Sequence, residues 1–313
     1  MKISCEVWLW DPKPNNKWYY FGMTKNTHFS GLVSLLSAGF LFGTFGIWIR
    51  FLNSDMNSYQ QVVFRNIIGV LVACLILYFR KIKIHFSGVS KKYLFLFGLS
   101  FPIGAVLFTI ALLKTSLMLG VFSFYLGEFV FSLLIGMLVF HEKLTTQKLA
   151  SLLLALLGFW FFIQPNGIRQ INIGMIFGIF GGLFDTIANG FRKHLAGKLD
   201  RVVLTLVPLL GGVIVASTLM IVFNGGLSIP TISVTNWVVG LLFGISLFLI
   251  QWLTFYGFQH FDLNLGTIAI SSEMIFASLF GWMLFAETPR SYDLIGGGMI
   301  VLAIVVGNWP KEN

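Results

Sequence analysis

GEFVFSLLIGMLVFHE, residues 127–142, and SEMIFASLFGWMLFAE, residues 272–287, are two versions of one segment. A shift of 145 residues superposes them without a gap. It pairs Glu128 with Glu273, Phe131 with Phe276, Leu134 with Leu279, Gly136 with Gly281, Phe140 with Phe285 and Glu142 with Glu287. The same shift pairs Thr109 with Thr254 and Pro165 with Pro310. Phe, Leu and Gly recur by chance in any apolar chain, but only 12 acids are spread over these 313 residues. Two coincident pairs of glutamates therefore mark an internal repeat.

The repeat sits in a chain that is 57% hydrophobic and 11% charged, against about 25% charged in soluble domains. Mean hydropathy is +0.85. A soluble core does not need so much apolar surface, but a chain solvated by hydrocarbon does. A spanning helix takes roughly 20 mainly apolar residues. Working outward from the paired segments, ten such stretches are expected: Gly31–Phe51, Gln60–Phe79, Tyr93–Leu113, Leu117–Phe140, Leu149–Gln164, Ile173–Phe191, Val202–Phe223, Trp237–Phe258, Leu263–Phe285 and Tyr292–Trp309. The fold class is thus an all-α membrane protein, with ten transmembrane helices in two five-helix repeats. Five is odd, so the second repeat enters the membrane from the opposite face and the repeats are inverted. The expected organisation is an N-terminal extension over 1–29, poorly ordered, then repeats over 30–166 and 167–313.

The net charge of +9 does not mark a nucleic-acid binder, because the basic residues lie between apolar runs and form no continuous patch. They report topology. With the N-terminus cytoplasmic, 16 Lys and Arg fall inside, Arg192 among them. Four fall outside: Arg50, Lys114, Arg169 and Arg290. That asymmetry puts both termini in the cytoplasm. Residues 1–29 hold no apolar run of signal-peptide type, and residues 1–22 are expected to be dispensable, Met23 reading as a possible start. Cys5 and Cys74 offer neither a disulfide framework nor a metal cluster.

FHEKLTTQKLASLLLALLGFWFFIQPN (140–166) and FAETPRSYDLIGGGMIVLAIVVGNWP (285–310) resemble the fourth-to-fifth-helix segment of EamA-type repeats. Arg65, in VVFRNIIGVLVA, resembles an arginine of that family's second helix. The resemblance spans about residues 30–310 and implies the drug/metabolite transporter superfamily, with ten helices in two inverted halves. It implies export or import of small metabolites such as amines, amino acids or nucleotide precursors. The expected setting is a bacterial cytoplasmic membrane. Where that family often has proline in the fourth and ninth helices, this chain has Phe129 and Met274, so both helices are expected to be less kinked.

Glu128 and Glu273 lie about ten residues into their spans, near the midplane. An ionisable group there costs at least a few kcal/mol and marks a functional site by default. Both are expected to bind substrate or couple protons; the plainer alternative is a pair of buried packing acids. Two carboxylates at a common centre repel, and a proton or a cation relieves that repulsion. Asp185 is either a third acid of the cavity or a partner for Arg192 or Lys193. Arg65 could bind a carboxylate, but is read first as structural, pairing with an acid or with helix carbonyls. Glu142 and Glu287 close their spans and are read as caps for the next helices. Trp48, Tyr125, Trp252 and Tyr256 could form an aromatic cage for an amine, though with 34 Phe and 9 Trp aromatics border everything. Glycines at 39 and 43, at 174, 178 and 182, and at 240 and 244 are expected to allow close helix contact.

The function expected is secondary transport of a small-molecule substrate through the lipid bilayer by alternating access, with a proton or another cation as coupling ion. No GxxxxGK[ST] phosphate loop or HExxH zinc motif occurs, so no cofactor or metal and no enzymatic activity is expected. The alternatives are a membrane receptor or scaffold, or an intramembrane enzyme without a recognisable motif.

Overall fold

The computed structural model describes residues 25–82, 89–115, 117–141, 143–163, 173–228, 230–285 and 291–307. Within them the ordered elements are α-helices: α1 (Lys25–Gly43), α2 (Phe45–Leu52), α3 (Ser58–Arg80), α4 (Lys91–Lys114), α5 (Leu117–Leu138), α6 (Thr146–Ile163), α7 (Ile173–Leu195), α8 (Arg201–Asn224), α9 (Val234–His260), α10 (Leu263–Ile270), α11 (Glu273–Phe285) and α12 (Ser291–Gly307). Residues 1–24, Glu142 and Glu287 lie outside the described residues, and with them most of the expected extension and both expected caps. The first helix opens at Lys25, six positions before Gly31.

Eight helical stretches are long and apolar enough to cross a membrane, α1 with α2 and α10 with α11 each counting as one. Two shorter apolar helices, Thr146–Phe161 and Leu294–Gly307, remain. Large apolar side chains face outward, among them Leu71, Leu75, Ile214, Phe223 and Val238. In water such a belt would drive aggregation; in lipid it is the solvated face. The protein is a multi-pass membrane protein.

Local sequence fixes the helix ends. Asn57 and Gln60 form a reciprocal capping box that starts α3: the Gln60 backbone N–H donates to Asn57 Oδ1 (3.0 Å), and the Asn57 N–H donates to Gln60 Oε1 (2.8 Å). Asp200 caps α8 by accepting from the Val202 N–H. Gly225 ends α8 with φ of 75°, a conformation glycine adopts without strain.

Two spans are interrupted. At Thr44 the hydroxyl donates to the Leu41 carbonyl and receives the Trp48 indole N–H. At Ser271–Ser272 the Ser271 hydroxyl donates to the Ile268 carbonyl (2.7 Å), and the backbone continues in three-residue turns into α11. Hydroxyls that bond back to the helix compete with its ladder and bend it. The lack of proline at Phe129 does leave α5 unbroken. At Met274 the expectation of a less kinked helix fails, because the preceding serine pair breaks the span where proline does not.

The packing is reciprocal. Helix α4 packs on α7, and α9 packs on α1; α5 packs on α7, and α11 packs on α1. Helix α4 meets α8 as α9 meets α3, while α3 pairs with α8 and α6 with α12. Each contact thus joins one repeat to the other and has a counterpart with the halves exchanged. This two-repeat arrangement fits an inverted repeat.

Candidate functional site

Glycines bring the repeats together at the central acids. A Cβ on Gly182 of α7 would stand 2.1 Å from the Phe124 carbonyl oxygen and 2.7 Å from the Glu128 backbone nitrogen. A Cβ on Gly39 of α1 would stand 2.4 Å from Ser272 Oγ and 3.3 Å from the Glu273 nitrogen. Each central glutamate is therefore seated against a glycine in the first helix of the opposite repeat. Gly43, Gly178, Gly240 and Gly244 make similarly close crossings.

This packing leaves a cavity at the repeat interface, lined by Arg65, Tyr125, Glu128, Asp185 and Glu273 together with Phe42, Phe45, Phe101, Ala105, Phe108, Phe124 and Ile270. Its volume is about 20 Å³. That suffices for water and is too tight for a metabolite.

Three acids from three helices converge there. Glu128 of α5 and Glu273 at the start of α11 are fully buried, and Asp185 of α7 is nearly so. Asn189, one turn beyond Asp185, donates its amide to both Glu128 Oε1 (3.1 Å) and Asp185 Oδ2 (2.9 Å). Glu273 is paired differently: the Tyr125 hydroxyl donates to its carboxylate in a short bond across the repeats. The structure thus couples Glu128 to Asp185 and Glu273 to Tyr125, where the repeat alone suggested a Glu128–Glu273 pair.

Arg65 lines the same cavity. Its Nη2 donates to Thr109 Oγ1 (3.2 Å) and to the Ala105 carbonyl (3.4 Å). Its guanidinium lies over Phe243 (4.7 Å) and Phe45 (5.4 Å). No ion pair of Arg65 with an acid occurs among the described residues.

Three of the four proposed cage aromatics lie elsewhere. Tyr125 alone lines the cavity. Trp48 braces the Thr44 break, and Trp252 and Tyr256 flank Arg201 at 4.6 and 4.9 Å. Phenylalanines supply the wall instead.

Arg192, counted among the inside charges and named as a possible partner for Asp185, is buried in the last turn of α7 and reaches Asp185 only through Asn189. Its Nη2 donates to Gln251 Oε1 (2.8 Å) and its Nη1 to Asn189 Oδ1. Phe97, Phe101, Phe255 and Phe258 surround it with ring centroids 5.6–6.0 Å away. Through Asn189 it props the carboxylate pair. The signal was present in the sequence: Asp185, Asn189 and Arg192 recur at one face of a helix.

Both ends are clasped. At one, Asp55 accepts from the Ser233 N–H (2.9 Å) and Asn236 donates to Ser54 Oγ (2.9 Å), joining the loop after α2 to the start of α9. The Ser233 N–H, with the Asn236 and Ser54 side chains, holds the Asp55 carboxyl well below the usual range. At the other end Asp262 pairs with Lys148 and with Lys193 (3.6 Å). Burial pushes the Asp262 carboxyl up, but Lys193 and Lys148 outweigh it and hold it below its ordinary value. This clasp is therefore complete above the ordinary aspartate range and is lost only as pH falls below it.

Fold and cavity define an all-helical membrane protein of two repeats closed around a polar centre. The EamA-like transporter family model matches residues 29–164 and 172–309, and the chain belongs to that family. Of 28 matching chains of solved structures, one crystal structure is similar over 91% of this chain and 96% of its own, with a TM-score of 0.71 and 14% identity. That likeness bears on the fold alone. No curated protein matches. Membership makes the chain a membrane transporter of small solutes.

Proposed function

We propose that the protein is a secondary transporter that moves a small metabolite, an amine or an amino acid, by alternating access between inverted halves over 30–166 and 167–313. The eight long stretches and the two short helices serve as ten spans. Glu128, Glu273 and Asp185 bind the cationic part of the substrate and exchange it for protons. The observation that carries this reading is the convergence of three carboxylates from both repeats on one cavity. Charge is tolerated at that depth only where it faces a partner or a pathway. The two clasps give the halves something to break alternately.

Reconstituted into liposomes preloaded with unlabelled amines and amino acids, the protein should drive saturable counterflow of a labelled member of the pool. An internal pH dye should report an accompanying proton flux. Failure of every pool member to exchange removes the transport reading for these classes; exchange without proton flux removes the coupling.

For orientation, both termini are placed in the cytoplasm. Activity reporters fused at the C-terminus and within the 53–58 loop should read inside and outside respectively. The opposite reading at either position breaks the ten-span arrangement.

A further inference from the structure

Two cavity-lining side chains carry polar atoms without a hydrogen-bond partner among the described residues, and they are of opposite kind. Arg65 leaves Nε and Nη1 unpartnered, and Glu128 leaves Oε2 unpartnered. Both side chains are 1% exposed, so water does not supply the missing bonds from a surface. A buried donor or acceptor left unpaired costs about 1–3 kcal/mol, and more when charged. The other two acids each have a donor: Tyr125 for Glu273 and Asn189 for Asp185. The site thus offers spare donors at Arg65 and a spare acceptor at Glu128.

Arg65 is also held in place. Phe45 and Phe243 pack on its guanidinium, and Nη2 is tied to Thr109 and Ala105. A guanidinium fixed in this way, with free N–H groups, suits a carboxylate better than a mobile ammonium would. Apart from Tyr125, Asp185 and Glu273, the rest of the lining is apolar, formed by phenylalanines, Ala105 and Ile270.

Resting on the transport reading above, we infer that the substrate is an α-amino acid with an apolar side chain, bound as its zwitterion. In a form of the cavity wider than the one described above, its carboxylate accepts from Arg65, its ammonium donates to Glu128, and its side chain lies among Phe42, Phe101, Phe108 and Phe124. A simple amine leaves the Arg65 donors unpaired, and a simple carboxylate leaves Glu128 unpaired. A site built this way rejects either analogue through the buried group left without a partner.

The test uses the full chain, purified in detergent, and two matched sets of probes. Leucine is compared with isopentylamine and isocaproate, and phenylalanine with phenethylamine and hydrocinnamate, by equilibrium binding. The amino acids should bind saturably, and each amine and each acid at least about tenfold more weakly. In Arg65→Gln, amino-acid affinity should fall about tenfold or more while amine affinity stays within about twofold. An amine that binds wild-type protein as tightly as its amino acid overturns the inference, as does no saturable binding of either amino acid. The wild-type comparison decides even where Arg65→Gln does not fold. Liposomes that exchange amines but not amino acids leave the transport reading standing and remove the zwitterion. Selective amino-acid binding with no exchange does the reverse.

Discussion

Glu128→Gln should insert and fold like the parent and lose transport. Glutamine keeps the shape of the side chain, and its carbonyl can still accept from the Asn189 amide that Glu128 now receives. What disappears is the ionisable oxygen without a hydrogen-bond partner, Oε2. A hydrogen bond to a charged group is worth about 1.5–3 kcal/mol, so substrate turnover should fall about tenfold to 150-fold. The pH dependence of uptake should flatten as well, since an amide cannot exchange a proton. Glu273→Gln should act in the same direction. It replaces the acceptor of the Tyr125 hydroxyl with a weaker neutral one and loosens a bond that ties α5 to α11. Tyr125→Phe should reproduce part of that loss without touching an acid. The measurements are initial uptake rates in liposomes between acidic and alkaline pH, with membrane abundance and a melting curve as controls. Normal rates with an unchanged pH profile in both glutamine variants would falsify a coupling role and leave the acids as packing groups.

Eight of the spans and the repeat were legible because lipid imposes apolar runs of fixed length, and because acids are rare enough for paired glutamates to stand out. The same rarity pointed to Glu128, Glu273 and Asp185, and all three line the cavity. Partners were less legible. Which acid faces which amide depends on helix rotation, and a sequence shift fixes depth but not rotation. The aromatics show the same limit: in a chain with 34 Phe, closeness to an acid along the sequence does not select a helix face. Trp252 and Tyr256 therefore turned out to embrace Arg201. Arg192 was misread for another reason. In the run Arg192, Lys193, His194 it looks like the charged end of a span. The phenylalanines that bury it come from α4 and α9, far away in sequence. The break before Glu273 could have been read from the adjacent pair Ser271–Ser272, which the attention to proline obscured.

Gly182→Ala should be strongly damaging at the central site. The new Cβ would meet the Phe124 carbonyl oxygen at 2.1 Å, the Glu128 nitrogen at 2.7 Å and the Gly127 carbonyl carbon at 3.1 Å. All three are backbone atoms, so no rotamer change relieves the contact and α5 must move away from α7. Overpacking of this kind costs about 1–3 kcal/mol. Here it also draws Glu128 away from Asn189, whose amide holds the carboxylate pair together. Gly39→Ala, at the matching seat of Glu273, should be milder. Its closest neighbour is the Ser272 hydroxyl at 2.4 Å, which can rotate, and the Ile270 carbonyl stands further off at 2.9 Å. Gly298→Ala should be harmless, because nothing lies within 4 Å of its new Cβ, and alanine favours the helix by up to about 1 kcal/mol. Melting temperature in detergent and uptake in liposomes should therefore rank Gly182→Ala lowest, Gly39→Ala between, and Gly298→Ala at or above the parent. If Gly182→Ala melts and transports like the parent, the acids are not seated on that crossing. The tight contact of α5 with α7 then does not position Glu128.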